Sequence, residues 1–373
     1  MEYTSEQKDY MKRALRLAEK ARGFTEPNPL TGAVIVKDGN IVGEGYHKKA
    51  GTPHAEINAL SEARGSAMGA TMYVTLEPCS HYGKTPPCAN ALVRAGIKEV
   101  FIAMEDPNPL VNGKGIVILE KAGLRVHLGL LREEAKRQNE IFLTNQIKKR
   151  AFIALKSAQT IDGKIGPKSG RPLRITAEAA REYSHSLRNR YGAVLVGVNT
   201  VIKDDPTLNI RYNIDHPDDR PTRIVLDPHM RMAVNAKILN REDGPILIYT
   251  AEPVSSVIKK KIEAKGGNIC VLPDKNGNID LKELPKDLLR RNICAVLVEG
   301  GAETFTRFFT AGMWDIWHCF VAPKLLGKDG IDVFSKSTET AIPLNAASQS
   351  VAVGEDLLIE YRNHSGVTSC LPE

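Results

Sequence analysis

Met11, Leu15 and Ala18 recur at helical spacing behind Thr4 and Gln7, a hydroxyl and an amide three residues apart that form a capping box. The chain therefore opens with an amphipathic helix, which Gly23 stops. The period then changes. Apolar residues over 33–36 and 41–43 flank Lys37-Asp38-Gly39-Asn40, and Asp-Gly supplies the positive φ angles of a tight hairpin turn. A helix over 54–64, a strand over 72–76, a helix over 87–95 and a strand over 100–104 follow. Such alternation predicts a sheet covered by helices. A charged helical stretch over 131–149 closes the first half, and apolar runs over 152–156, 193–197, 223–226, 246–249, 294–298 and 316–321 predict a second α/β sheet. The halves share no repeat, so two unrelated α/β domains are expected, over 1–147 and 148–373.

Composition sets the outer bounds. Hydrophobic residues make up 42% and charged residues 25% of the chain, which suits two buried cores and excludes disorder. The formal charge of +7 favours anionic partners, a phosphorylated metabolite as readily as a nucleic acid. Six scattered cysteines form no disulfide framework and point to a reducing cytoplasm. No run approaches the roughly 18 uncharged apolar residues of a membrane span, and the N-terminus lacks the apolar core of a signal peptide, so neither is expected.

Chemistry concentrates at His54-Ala55-Glu56, Glu77-Pro78-Cys79 and Pro86-Pro87-Cys88. One imidazole and two thiols fall where strands give way to helices, and helix N-termini depress thiol pKa values. Two thiolates would neutralise a zinc dication, and three ligands leave a fourth position for water, the mark of a catalytic site. Glu56, two residues past the imidazole, can take a proton from that water and return it to a leaving amine. His81 is an alternative fourth ligand that would make the site structural instead. The H-x-E and P-C…C pattern is that of zinc deaminases.

The interval from Cys79 to Cys88, with PCSHYGKTPPC around it, is longer than the C-x-x-C of nucleoside and nucleic-acid deaminases. It resembles the N-terminal deaminase of the bifunctional riboflavin-biosynthesis deaminase-reductase family. PNPLTGAVIV around Asn28 and EDPNPLVNGKG from Glu105 are similar to the same family, with Thr31 where valine is usual. The resemblance implies a cytidine-deaminase-like three-layer domain, with one zinc per chain on His54, Cys79 and Cys88. It makes Glu56 the proton shuttle, and gives Asn28, His81 and Lys84 the substrate's ring, ribose or phosphate.

In the second half, Val298-Glu299-Gly300-Gly301-Ala302-Glu303-Thr304 ends a strand and opens a helix. Bare N–H groups there could cradle a phosphate, or the segment could be a tight turn and nothing more. Neither G-x-G-x-x-G nor G-x-x-x-x-G-K-[ST] is present, so no Rossmann or P-loop domain is expected. SAQTIDGK from Ser157 and VGVNTVIKDDPTL from Val196 resemble the reductase half of the same family, whose fold is like dihydrofolate reductase. That resemblance implies NADPH against Ala158, Arg174, Thr200, Asp204 and the run Gly301, Ala302, Glu303, Thr304, Phe305, Thr306 and Arg307. It implies a phosphoribosyl substrate against Pro172, Arg188, Leu208, Arg211 and Glu299. Pro172 and Arg174 depart from the family's usual serine and aromatic ring, and Pro172 offers neither a hydroxyl nor an N–H. The resemblance runs from about Tyr10 to Gly330 and is weak beyond.

The expectation is an enzyme that deaminates a diaminopyrimidinone ribosylamine phosphate and then reduces its ribosyl side chain to ribityl. It would be a cytoplasmic homo-oligomer with no nucleic-acid or membrane partner. One rival is a tRNA deaminase with a C-terminal binding module, which 6% aromatics without aromatic-basic interleaving opposes. The other is a deaminase carrying a degenerate reductase, for which Pro172 and Arg174 speak.

Overall fold

Thr4 and Gln7 satisfy each other's backbone N–H groups at 3.2 and 2.9 Å, and α1 (Ser5–Glu19) starts on that box. The computed structural model describes residues 2–80, 87–108, 111–212, 214, 220–335, 344 and 349–363. The chain divides into two units, Met1–Lys148 and Lys149–Glu373. The first α-helix ends four residues before Gly23, and turns carry the chain to that glycine at φ 85°. Asp38 and Gly39, at φ 50° and 77°, join β1 (Gly32–Lys37) to β2 (Asn40–Tyr46) in a tight hairpin.

The first unit continues through α2 (Ala55–Ala63), β3 (Thr71–Val74), α3 (Cys88–Arg94), β4 (Glu99–Ile102), α4 (Lys114–Lys121) and β5 (Arg125–Leu128). The sheet runs β2-β1-β3-β4-β5, antiparallel on either side of β1 and parallel from β3 to β5. Strand alternation sorts side chains into three layers. Ile35, Met72, Val74, Val100 and Ile102 meet α2, α3 and α4 on one face. Tyr73 and Phe101 stack on the other, where Tyr10 of α1 covers Tyr73 with ring centroids 5.2 Å apart. The charged stretch at the end is two helices, α5 (Arg132–Gln138) and α6 (Glu140–Lys148), and not one. Asn139 breaks it by turning its buried amide to the backbone of Leu30.

The second unit comprises β6 (Phe152–Thr160), β7 (Lys164–Pro167), α7 (Glu178–Tyr191), β8 (Ala193–Gly197), α8 (Val198–Asp204), β9 (Thr222–Leu226), β10 (Ile246–Thr250) and α9 (Ser256–Ala264). It goes on with β11 (Gly267–Val271), α10 (Leu284–Arg290), β12 (Ala295–Val298), α11 (Ala302–Thr310), β13 (Ile316–Ala322), β14 (Gly330–Asp332), β15 (Gln349–Val353) and β16 (Asp356–Arg362). Nine strands form one sheet in the order β11-β10-β9-β8-β12-β6-β13-β16-β15, parallel except at β13-β16 and β16-β15, while β7 and β14 pair separately. Both faces are covered: Ala193 and Leu195 of β8 join one apolar cluster, Val194 and Val196 the other. That is why this strand reads as an unbroken apolar run.

Candidate active sites

Small residues place the first site. Ala55, Ala59 and Ala63 form one stripe of α2 that lies directly on β2, so a Cβ on Gly45 would stand 2.3 Å from the Ala55 carbonyl and one on Gly43 2.3 Å from that of Ala59. This contact fixes the N-terminus of α2, where His54 is the N-cap and Glu56 sits in the first turn. Cys79 follows β3, and Cys88 is the first residue of α3. His54 Nδ1 lies 3.3 Å from Cys88 Sγ and 3.6 Å from Cys79 Sγ, and the Cys88 N–H donates to Cys79 Sγ at 3.3 Å. The three ligand atoms all lie within 4.8 Å of one another. Hydrogen bonds from the Cys88 thiol and N–H, with His54 beside it, hold the Cys79 thiol below its ordinary range and push Cys88 upward.

Glu56 is 3% exposed, and burial raises its carboxyl to about 7, against the pull of His54. Around this centre lie Glu77 and His47, which have no role in the sequence reading. Glu77 is a buried carboxylate that accepts the N–H groups of Gly113 and Gly115 at 2.9 Å each and of Asp106 at 3.2 Å, tying the loop before α4 to the segment that carries Cys79. Asn28 Nδ2 lies 3.1 Å from His47 Nε2, whose other ring nitrogen is 3.2 Å from the Pro53 carbonyl. The carbonyl can only accept, so Nδ1 donates to it and Nε2 accepts from Asn28. His81 and Lys84 lie outside the described residues.

The second site is a cleft of about 300 Å³ at the C-terminal ends of β8, β9 and β12, where ligands of parallel sheets gather. Thr200, Gly301, Ala302, Glu303, Thr304 and Arg307 line it. Gly301 caps α11 and donates its N–H to Thr200 Oγ1 at 3.3 Å. Thr304 packs against the preceding glycines, so a Cβ on Gly197 would stand 2.2 Å from its hydroxyl oxygen. The helical period turns Phe305 and Thr306 away: Phe305 packs on Phe309 and Trp317 in the core, and the Thr306 hydroxyl accepts the Ser335 N–H. Asp204 is exposed at the end of α8, outside this lining. Asn199, His229, Arg231 and Asn278 also line the cleft. Asn199 lies inside the motif from Val196 to Leu208, His229 and Arg231 follow the apolar run over 223–226, and Asn278 carries no sequence signal.

Arg188 of α7 grips Glu299 with both ends of its fork, at 2.7 and 2.9 Å, and gives a third N–H to the Asn209 carbonyl at 2.6 Å. Burial alone would raise the Glu299 carboxyl, but Arg188 overrides it and holds it down at about 2. The Arg211 backbone N–H donates to His185 Nδ1 at 3.1 Å, and Leu208, at φ 55°, is buried in the apolar cluster with Val198 and Val201. Ala158 is half-buried on β6 opposite Phe320. Pro172 and Arg174 lie in exposed coil, where Lys324 Nζ donates to the carbonyl of Arg174 at 3.0 Å and the Arg174 guanidinium acts on the Glu178 carboxylate through charge.

An imidazole and two thiols converging beside a buried carboxylate are the parts of a hydrolytic deaminase, and residues 4–104 match the cytidine and deoxycytidylate deaminase zinc-binding region. Residues 151–359 match the RibD C-terminal domain. Over nearly its whole length the chain is similar to the riboflavin biosynthesis protein RibD of Aquifex aeolicus, 44% identical across 96% of this chain and 98% of that one. It is also similar to the Escherichia coli RibD, 39% identical across 86% and 88%. A solved structure of Acinetobacter baumannii RibD superposes with a TM-score of 0.85 at 38% identity, covering 96% of this chain and 98% of that one. A diaminohydroxyphosphoribosylaminopyrimidine deaminase/5-amino-6-(5-phosphoribosylamino)uracil reductase from Thermotoga maritima superposes at 0.82 and 36% identity, with the same coverage. The chain belongs to the RibD family. It is a bifunctional enzyme of riboflavin biosynthesis, a deaminase followed by a pyrimidine reductase. The C-terminal match is to a reductase domain and does not favour a nucleic-acid-binding module, and it reaches past Gly330 to take in β15 and most of β16.

Proposed function

We propose that residues 1–147 hydrolyse the ring amine of the diaminopyrimidinone ribosylamine phosphate, and that residues 148–373 reduce the ribosyl side chain of the product to ribityl with NADPH. The observation that carries this reading is the convergence of His54, Cys79 and Cys88 beside buried Glu56. One imidazole and two thiols are a donor set suited to zinc, and three ligands leave a position open to water. When bound, the metal supplies Lewis acidity that makes water nucleophilic near neutral pH. Glu56 takes the proton from the attacking water and delivers it to the departing nitrogen, so that ammonia leaves and oxygen stays on the ring carbon. Asn28, oriented by His47, faces the substrate, and His81 and Lys84 are assigned to it by resemblance.

In the second unit the cofactor supplies a hydride when bound. The N–H groups at the start of α11, with Thr200 beside them, would hold its diphosphate. Glu299, kept ionised by Arg188, offers acceptors to the sugar hydroxyls, and Arg211 faces the substrate phosphate. No disulfide joins the five described cysteines, which supports a cytoplasmic setting for the enzyme. Metal analysis tests the first half: one zinc per chain, with deamination lost on chelation, is expected, and active protein free of zinc would refute it.

A further inference from the structure

Arg231 stands just after β9 on one wall of the second cleft. Its Nη2 donates to Asn199 Oδ1 at 2.7 Å, and Asn199 Nδ2 in turn donates to Glu303 Oε2 at 2.9 Å. An amide both accepts and donates, so Asn199 seats a cation and an anion at one edge of the cleft without pairing them. Arg231 is exposed; the Asp227 carboxylate accepts its backbone N–H at 2.9 Å, and among the described residues no carboxylate pairs with its guanidinium. The other cationic groups of the lining are engaged differently. His229 pairs with Glu252 at 3.0 Å, and Arg307, on the second turn of α11, donates to the Ile279 carbonyl at 3.1 Å.

We propose that Arg231, oriented by Asn199, recognises the 2′-phosphate that distinguishes NADPH from NADH, while Arg307 serves the part both cofactors share. This rests on reading the cleft as a nicotinamide dinucleotide site. The two cofactors differ by one phosphomonoester on the adenosine ribose, and a guanidinium with uncommitted N–H groups at an open rim matches it by charge and by its planar fork. Among the described residues Glu303 is the one carboxylate in the lining, and it would repel such a group. The Asn199 amide holds it apart from the guanidinium. Arg307 belongs to the same helix whose first turn receives the diphosphate, a group present in either cofactor.

The test is a direct binding titration of the full chain with NADPH and with NADH, at one ionic strength, read by calorimetry without turnover. Wild type is expected to bind NADPH at least about tenfold more tightly. Arg231→Gln should bring NADPH down to the affinity of NADH and leave NADH within about twofold. Arg231→Lys should keep part of the preference, and Arg307→Gln should weaken both cofactors alike. A preference that survives Arg231→Gln, or one that is lost in Arg307→Gln instead, overturns the assignment, as does a wild type that binds the two equally. Binding of neither cofactor to wild type would bring down the reading of the cleft itself, and the assignment with it.

Discussion

Asn139 Oδ1 accepts the N–H of Leu30 at 2.8 Å, and Asn139 Nδ2 donates back to the Leu30 carbonyl at 3.0 Å. One side chain thereby satisfies both polar groups of a buried residue, as a neighbouring strand would. The pair holds the segment that carries Asn28 against the break between α5 and α6, far from it in sequence.

Asn139→Ala leaves that N–H and carbonyl buried and unpaired, at a cost of about 2 to 4 kcal/mol to the first unit. Urea melts should show the loss. Deamination should show a several-fold higher KM, while reduction of supplied deaminated substrate is spared. Equal damage to both reactions would contradict a local role.

Gly115 is where α4 touches the segment before Cys79: a Cβ there would stand 2.0 Å from the Pro78 carbonyl. Gly115→Ala must push Pro78 or α4 aside and disturb the Glu77 contacts with them. A chelator competition should therefore find zinc held at least about tenfold more weakly. Unchanged zinc affinity would show that this contact does not position Cys79.

Burial, and then Arg188, lower the pKa of His185 to about 4 from its ordinary 6.5. Between those values the unfolded chain takes up a proton that the folded chain refuses, so stability is lost as pH falls through that window. The loss reaches up to about 2 kcal/mol after solvent screening. Protonation of the folded chain, as pH falls through about 4, also removes the acceptor for the Arg211 N–H, so the reductase KM should rise only on that lower limb. His185→Gln should flatten both dependences. A slope that persists in this variant would assign the proton elsewhere.

The nearest atom to a Cβ built on Gly301 is Thr200 Oγ1 at 3.6 Å, so a side chain there meets cleft space and little protein. Gly301→Val should therefore melt like wild type yet bind NADPH at least about tenfold more weakly, by blocking approach to the N–H groups of α11. Unchanged affinity would return this glycine to a plain turn.

Much of this was legible in the sequence because parallel strands buried on both faces leave unbroken apolar runs, as over 193–197, and because His54 and Cys88 fall at helix starts. The buried face of α7 mixes Ser184 and His185 with Ala180, Leu187 and Tyr191, so it shows no clean apolar stripe in the sequence. The fork between Arg188 and Glu299 joins residues 111 positions apart, and no local pattern carries such a pairing. Nor does any carry the clamp of Asn139 on Leu30, or the carboxylate of Glu77 under the loop before α4. Within the run from Gly301 to Arg307 the helical period gives the side chains of Phe305 and Thr306 to the core.

The central claim is that one chain holds two separable sites, and Glu56→Gln tests it most directly, followed by mass spectrometry of products with and without NADPH. The amide keeps the size of the side chain and leaves His54, Cys79 and Cys88 in place, so zinc content should stay at one per chain while deamination falls by about a hundredfold or more. Given the deaminated substrate and NADPH, the same variant should add two hydrogens to the ribosyl chain at the wild-type rate. Deamination at full rate, or a reduction that fails along with it, would contradict the account.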